Sequence, residues 1–211
     1  MLDRICIHSG GKVQAHLSAD NLVSCCYTCG FGCNGGYPSM AWRYWVHKGI
    51  VSGCNYNTSE AGQPYEIPAC EHHIDGPNIK RPMELFTMFH TKRIYTKINL
   101  FLCPVKTSYS VRSKEEIIQR EIVTNGPVEG TITVYEDFMN YKSGVYQHVV
   151  GKALGGHTIR ILGWRVEEGT PYWLIANSWN SDWGDNGYVK LLRGANHCGI
   201  EGSITARLPL L

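Results

Sequence analysis

The sequence has no long apolar run and no excess of charge of either sign. Its 211 residues contain 20 Lys and Arg against 18 Asp and Glu, which gives a formal net charge of +2. Electrostatic binding to nucleic acid needs a basic face, and a membrane-spanning helix needs roughly 20 consecutive apolar residues. The sequence supplies neither, so we expect no nucleic-acid partner and no membrane partner. Peptides or proteins are the expected partners.

The sequence does contain enough apolar residues to form a core. Hydrophobic residues make up 43% of the chain, which excludes disorder, and the length suits one large domain or two small lobes. There are nine cysteines, four of them crowded between Cys25 and Cys33. If these cysteines form disulfides, they indicate an oxidising compartment, and the odd count leaves at least one thiol.

A histidine and an asparagine are predicted to lie on neighbouring strands. Apolar residues alternate after His157, and the apolar run Tyr172–Ala176 directly precedes Asn177; both segments therefore read as strands of one sheet. A carboxamide oxygen that accepts from one imidazole nitrogen fixes the tautomer and leaves the other nitrogen free to take a proton from a nucleophile. Trp179 can shield that bond from water. The alternative is a structural histidine, because isolated buried histidines are common.

The other predicted elements divide into a helical first part and a β-rich second part. Asp3 to Ile7 is predicted to be the last turn of a helix. Three further helices are predicted over Ser18–Val23 with a Ser cap, Pro38–Lys48 ended by Gly49, and Ser113–Val123 with a Ser113/Glu116 capping box. The residues of Pro38–Lys48 that are predicted to face inward are Met40, Ala41, Tyr44 and Trp45. The predicted strands are Val128–Tyr135, Gly144–His148, 157–164, 171–177 and 187–193.

The segment G-G-H-x-I-x-I-x-G-W, followed by P-Y-W-L-x-A-N-S-W-x-x-x-W-G-x-x-G-Y, closely resembles the papain-like cysteine peptidases, and within them the cathepsin B-like members. The resemblance covers residues 2–77 and 108–207. It implies an α+β, papain-like two-lobed fold within one peptidase domain over 1–211. The helical N-terminal lobe would be 1–77, including the remnant of an occluding loop, and the antiparallel β-rich lobe would be 108–211. Residues 78–107 would be a divergent insert.

The cysteine cluster has two interpretations. Cys26 and Cys29 have the C-x-x-C spacing of a metal site, and Cys33 follows four residues later. The resemblance instead implies that Cys26 and Cys29 pair as a disulfide, that Cys33 lacks its usual partner and is a free thiol, and that Gly35 and Gly36 line a substrate cleft. Glycine there would let a peptide backbone approach closely. We therefore expect no metal and no cofactor.

The resemblance also implies roles for three polar residues and for His157 and Asn177. His72 and His73, which could otherwise be ligands or plain loop residues, would bind the terminal carboxylate of a substrate and give dipeptidyl carboxypeptidase activity. Glu201, otherwise a surface glutamate, would accept Arg side chains in a substrate pocket. His157 would be the catalytic base and Asn177 would orient it. Cystatin-like inhibitors are further expected partners, and the expected location is lysosomal or extracellular.

The signature of the nucleophile is missing. The mechanism needs a cysteine thiolate beside the imidazole, and papain-type enzymes present it in C-G-[SA]-C-[WY], about 130 to 150 residues before the His and Asn. No segment matches that motif, and none of the six tryptophans follows a cysteine. We expect a chain that lacks the central helix and the nucleophile, begins without a signal peptide as a truncated product would, and is inactive. The alternative is a non-catalytic protein that binds peptides or inhibitors.

Overall fold

The computed structural model describes residues 2–14, 16–31, 34–54, 63–64 and 105–209. These residues divide into two compact units. The described residues of one unit lie within 1–15 and 103–211, and those of the other lie within 16–102. One large sheet with helices gives an α+β fold, as predicted from the sequence.

The helices and strands follow one another along the chain with short connections in the second half. Two 3₁₀ helices, Glu136–Asn140 and His197–Gly202, lie between strands of the larger unit. The other described elements are α1 (Leu2–His8), α2 (Ala19–Cys25), α3 (Pro38–Lys48), β1 (Gly53–Cys54), β2 (Gln63–Pro64), β3 (Val105–Val111), α4 (Glu115–Asn125), β4 (Val128–Tyr135), β5 (Val145–Tyr146), β6 (Ala153–Glu167), β7 (Thr170–Ala176), β8 (Tyr188–Leu192) and β9 (Ile204–Pro209).

The large sheet carries the histidine and asparagine singled out in the sequence. Its described strands have the order β3-β9-β4-β6-β7-β8-β5. Neighbouring strands are antiparallel except for the short parallel pair β5 and β8. In this register His157 on β6 lies opposite Ile132 on β4, and β6 also pairs with β7, which ends one residue before Asn177. The prediction that these two residues belong to neighbouring strands is confirmed.

The core of this unit lies against the sheet. Along β4 buried and half-buried residues alternate, as expected for a strand with one face against a core. Burying side chains of this size contributes roughly 1.5 to 3 kcal/mol each. The buried set includes two helix residues and several aromatic residues, of which two lie on strands: Ile118, Ile122, Phe138, Tyr141, Tyr146, Trp173 and Trp183.

Helix α1 belongs to this same unit. Arg4 is buried and donates to the carbonyls of Gly126, Pro127 and Arg207, and it forms an ion pair with Glu121. Gly126 lies where α1 approaches, and its φ of 93° is a backbone conformation that favours glycine. The first residues therefore group with the β-rich part, whereas the sequence analysis grouped them with the helical lobe.

The smaller unit confirms two predicted helices and corrects the buried face of one. Helix α2 begins after Ser18, whose Oγ accepts from the Asn21 backbone N–H at 3.0 Å. Helix α3 has the predicted bounds, but its buried residues are Trp42 and Trp45. Met40, Ala41 and Tyr44 are only partly buried. The two indoles, three residues apart, stack at 5.7 Å, and their large area sets the inward face.

The capping box predicted for α4 is wrong. The N-cap is Lys114, which makes no side-chain cap bond, and Ser113 lies one residue outside the helix. The first helical bonds run from the N–H groups of Ile117 and Ile118 to the Lys114 carbonyl, so the helix starts too late for Ser113 to cap it. The helix ends at Asn125, two residues beyond the predicted Val123, and Gly126 is the C-cap, with φ of 93°.

Several predictions fall outside the described residues. Among them are the His72 and His73 pair, Cys33 and the insert at 78–107, apart from its described end at 105–107. Among the described helices, none combines the length and the apolar character needed to cross a bilayer.

Candidate active site

The site is built on the hydrogen bond between His157 and Asn177. His157 lies on β6 and Asn177 follows β7, and their Nε2 and Oδ1 atoms are 2.8 Å apart. The backbone of Asn177 is fixed as well, because its N–H donates to the carbonyl of Gly187 at 2.9 Å. The pairing of β6 with β7, together with the Asn177–Gly187 bond directly after β7, thus holds the imidazole and the carboxamide together.

The orientation of the Asn177 amide decides the tautomer of His157. Asn177 Oδ1 also accepts from the backbone N–H of Ser178 at 2.8 Å. A flipped amide would point its NH₂ group at that N–H, so the oxygen must face both donors. His157 Nε2 therefore carries the proton, and the lone pair of Nδ1 is free to accept one.

Trp179 covers this hydrogen bond. Its ring stacks on His157 with centroids 4.9 Å apart and an interplanar angle of 28°. Trp179 in turn makes edge contacts with Phe138 at 5.5 Å and with Trp183 at 5.1 Å. Both of these partners are almost fully buried, so the indole rests on the rigid core rather than on mobile side chains.

The surroundings of His157 favour a neutral base. Burial lowers the pKa of His157, and the hydrogen bond with Asn177 opposes this effect only in part. A neutral imidazole with one free nitrogen can accept a proton from a thiol, and a lowered pKa keeps it unprotonated at neutral pH. The arrangement can therefore act as a general base with a fixed tautomer.

The smaller unit contains the cysteines and glycines to which the resemblance assigned a disulfide and a substrate cleft. Cys26 and Cys29 form a disulfide with an S–S length of 2.03 Å. Gly35 has φ of 97° and open space where a Cβ would be, whereas a Cβ on Gly36 would lie 2.4 Å from the Cys29 carbonyl oxygen. The chain itself thus requires glycine at position 36, and the role of both glycines in binding substrate stays a prediction.

Glu201 does not have the environment that the sequence analysis assigned to it. It is only 6% exposed. Its Oε1 accepts from Trp173 Nε1 at 2.9 Å and from the Gly194 N–H at 2.7 Å, and its Oε2 accepts from the Asn196 N–H at 2.5 Å. A carboxylate already filled by internal donors is poorly suited to receive a substrate's Arg. These bonds instead fasten the 194–202 turn to β7.

The described thiols do not supply a nucleophile. The free cysteines among the described residues are Cys6, Cys25 and Cys198, and in that part of the chain no thiol is hydrogen-bonded to His157. Burial, with a smaller contribution from the Asp137 charge, raises the pKa of Cys198 to about 11, which leaves it protonated and unreactive. Across the described ranges, no group of three or more His, Cys, Asp and Glu residues could hold a metal ion.

Comparison with known proteins identifies the family. The sequence profile described as "Papain family cysteine protease" matches residues 1–208. The chain belongs to this family. It is 45% identical to cathepsin B-like cysteine proteinase 6 of Caenorhabditis elegans, covering 100% of this chain and 58% of that protein. It is 48% identical to the cathepsin B-like cysteine proteinase of Schistosoma japonicum, covering 99% of this chain and 62% of that protein.

Solved structures agree with the papain-family assignment. Procathepsin B S9 from Trypanosoma congolense matches with a TM-score of 0.80 and 40% identity, covering 100% of this chain and 65% of that one. Digestive procathepsin L2 of Tenebrio molitor matches with a TM-score of 0.71 and 27% identity, covering 99% and 57%. The chain thus spans about three fifths of the length of the curated relatives named above.

Sequence reasoning missed the residues that support the site from behind. Phe138 packs on Trp179, and the Ser178 N–H fixes the amide of Asn177. Neither was predicted, because an aromatic residue and a backbone N–H carry no sequence motif. Phe138 lies three residues after the end of β4 and 45 positions before Trp183, and their ring centroids are 5.0 Å apart in the folded unit.

Proposed function

We propose that this chain carries the base half of a cathepsin B-like cysteine peptidase site. His157 takes the proton from a cysteine thiol, and Asn177 holds the imidazole in the tautomer that this step needs. The thiolate then attacks the peptide carbonyl. The observation that supports this proposal best is the 2.8 Å bond between His157 Nε2 and Asn177 Oδ1, with the amide fixed by Ser178.

The 211-residue polypeptide is proposed to lack hydrolytic activity by itself. No segment carries the C-G-[SA]-C-[WY] motif, and none of the described thiols is hydrogen-bonded to His157. When the members of a catalytic unit act together, removal of the nucleophile removes nearly all of the rate. A chain that has the base but no thiolate beside it would keep the peptidase fold without hydrolysing peptides.

The test uses a fluorogenic Arg-Arg peptide and two forms of the protein. The 211-residue chain is expected to show no turnover. Turnover that a thiol-directed epoxide abolishes would contradict the proposal, since one of the nine cysteines would then be the nucleophile. In the second form, a helix carrying C-G-S-C-W is joined before Leu2, and hydrolysis should appear and be lost in the His157→Ala variant.

A non-catalytic binding protein is the second candidate. It is favoured by the arrangement of His157, Asn177 and Trp179, which is present although none of the described thiols is hydrogen-bonded to the imidazole. Such a protein would bind peptides or cystatin-like inhibitors without cleaving them. Titration calorimetry with a cystatin distinguishes the two candidate functions. Binding of the cystatin by the 211-residue chain, together with no turnover by the extended form, supports the non-catalytic binding protein.

An oxidising location, lysosomal or extracellular, is part of the same proposal. The Cys26–Cys29 disulfide supports it, because such bonds persist in secretory compartments. Dipeptidyl carboxypeptidase activity through His72 and His73 remains a prediction about residues outside the described ranges. Activity of the His72→Ala, His73→Ala double variant of the extended form on a substrate with an amidated C-terminus, compared with a free one, would test it.

A further inference from the structure

The 3₁₀ helix Glu136–Asn140, called here the 136–140 turn, contains a carboxylate with an unusual number of donors. Asp137 Oδ1 accepts from the Tyr146 hydroxyl at 2.6 Å, and its Oδ2 accepts from the Val149 and Val150 backbone N–H groups at 2.8 and 3.1 Å. His148 Nδ1 lies 3.0 Å from Oδ1 and donates to it. Four donors from one stretch of chain therefore converge on a single side chain.

These bonds hold the segment that leads into β6, the strand that carries His157. Residues 147–152 connect β5 with β6, and His157 is the fifth residue of β6. The side chains of Val149 and Val150 are 84% and 70% exposed, so apolar packing does little to hold them. A second pair of bonds joins Glu136 and Lys152, from the Glu136 N–H to the Lys152 carbonyl and from the Lys152 N–H to Glu136 Oε2, both at 3.1 Å.

The opposite side of the turn supports the indole that covers the base. Phe138, the residue after Asp137, is 1% exposed and packs edge-on against Trp179 at 5.5 Å. The Met139 carbonyl accepts from Trp183 Nε1 at 3.1 Å. Trp179 stacks on His157 at 4.9 Å. The 136–140 turn thus contacts the segment that leads into β6. Through the Phe138 ring it also contacts Trp179, which covers the imidazole.

We propose that Asp137 is a positioning residue for His157, because its carboxylate fixes the 136–140 turn against both the 147–152 segment and the Phe138–Trp179 stack. Asp137 does not touch the imidazole and acts through these two connections. The ionised state of the carboxylate suits this role. Although burial opposes ionisation, the bonds from Tyr146, Val149, Val150 and His148 outweigh it and hold the pKa of Asp137 below its ordinary value.

Removing the carboxylate should change the surroundings of His157 in a defined direction. Without its acceptor the 147–152 segment loses its attachment, and the turn that supports Trp179 loosens. A less covered imidazole is better hydrated, so the pKa of His157 should rise toward its ordinary value of 6.5. The fixed proton on Nε2 should also become shared between the two ring nitrogens.

The test is NMR titration of His157 in the full chain, with amide exchange read at Val149 and Val150. In Asp137→Ala we expect a higher pKa for His157, mixed tautomers, and exchange at the two amides faster by about tenfold or more. The matched control is Glu201→Gln, which alters a different carboxylate of the same unit, one that is buried and accepts three hydrogen bonds. His157 should be unchanged in that control.

Milder variants keep the proposal testable if Asp137→Ala does not fold. Tyr146→Phe removes one donor and keeps the ring that packs on Phe138 at 4.9 Å, and Asp137→Asn keeps the shape and removes the charge. Both should move the pKa of His157 in the same direction by less. An unchanged pKa and tautomer in a folded variant whose Val149 and Val150 amides exchange faster would overturn the proposal.

This inference rests on the proposed role of His157 as the base, but the two can fail separately. The titration reads the imidazole itself and needs no turnover. If the extended form of the chain shows no hydrolysis while the titration behaves as expected, the proposed function fails and the positioning role stands. If hydrolysis appears and His157 does not respond to Asp137, only the positioning role fails.

Discussion

His157 and His197 are two half-buried histidines of the same unit, and they use the same ring nitrogen in opposite ways. His157 Nε2 donates to the Asn177 carboxamide oxygen at 2.8 Å. His197 Nε2 accepts from the backbone N–H of His148, also at 2.8 Å. Burial lowers the pKa of both. Exposure and pKa therefore do not distinguish the two residues, but the direction of the hydrogen bond does.

A neutral imidazole has one proton and one available lone pair. In His157 the proton is used internally and the lone pair of Nδ1 remains. In His197 the lone pair of Nε2 is used, and the proton lies on Nδ1. Only the first arrangement leaves a nitrogen that can accept a proton from a nucleophile, so His157 belongs to a chemical site and His197 to the structure of its turn.

The largest expected effect concerns the turn of His197. Glu201→Ala removes the acceptor of three donors, and the Trp173 indole N–H, on a side chain that is 0% exposed, would be left without a partner. Water can replace the acceptor for the exposed Gly194 and Asn196. We expect the free energy of unfolding in urea to fall by about 3 kcal/mol. Glu116→Ala, at an exposed helix position, is the control, and a loss below about 1 kcal/mol in Glu201→Ala would show that Glu201 is not structural.

The second prediction changes the partner of His157 and leaves its geometry alone. In Asn177→Asp the acceptor becomes an anion, which stabilises the protonated imidazole, so the pKa of His157 should rise by about one to two units. NMR titration of the ring measures it. Asn180→Asp places the same charge on an exposed asparagine that bonds its neighbour Ser181 rather than His157. Equal shifts in both variants would mean that the added negative charge changes the pKa of His157 through long-range electrostatics and not through the hydrogen bond.

The sequence allowed prediction of those features that depend on local chain chemistry. Helix α3 ends at Lys48, as predicted, because Gly49 follows with φ of 79°, which favours glycine. The pairing of His157 with Asn177 could be predicted because two apolar segments separated by a short turn form adjacent strands. These features depend on an adjacent residue or on two consecutive segments of the chain, both of which can be read from the sequence.

The features that failed depend on contacts between distant residues. Trp42 turned inward because it stacks on Trp45, and the face of a helix is decided by what covers it. Glu201 was assigned to substrate binding because a sequence does not show that Trp173, 28 positions away, donates to it. Asp137 had no predicted role for the same reason, since its donors come from residues 9 to 13 positions later.

The smallest expected effect is the pH dependence that both histidines share. Because the folded-state pKa of His157 and of His197 lies below the ordinary value of 6.5, the folded chain binds fewer protons than the unfolded chain as pH falls below that value. The contribution of the two neutral histidines to the free energy of unfolding should thus be complete above about pH 6.5 and be lost progressively as pH falls below that value. Urea unfolding at several pH values measures the slope. His197→Gln and His157→Gln should each flatten part of it. A steeper slope in His197→Gln would show that His197 is protonated in the folded chain, and the contrast between the two histidines would then be lost.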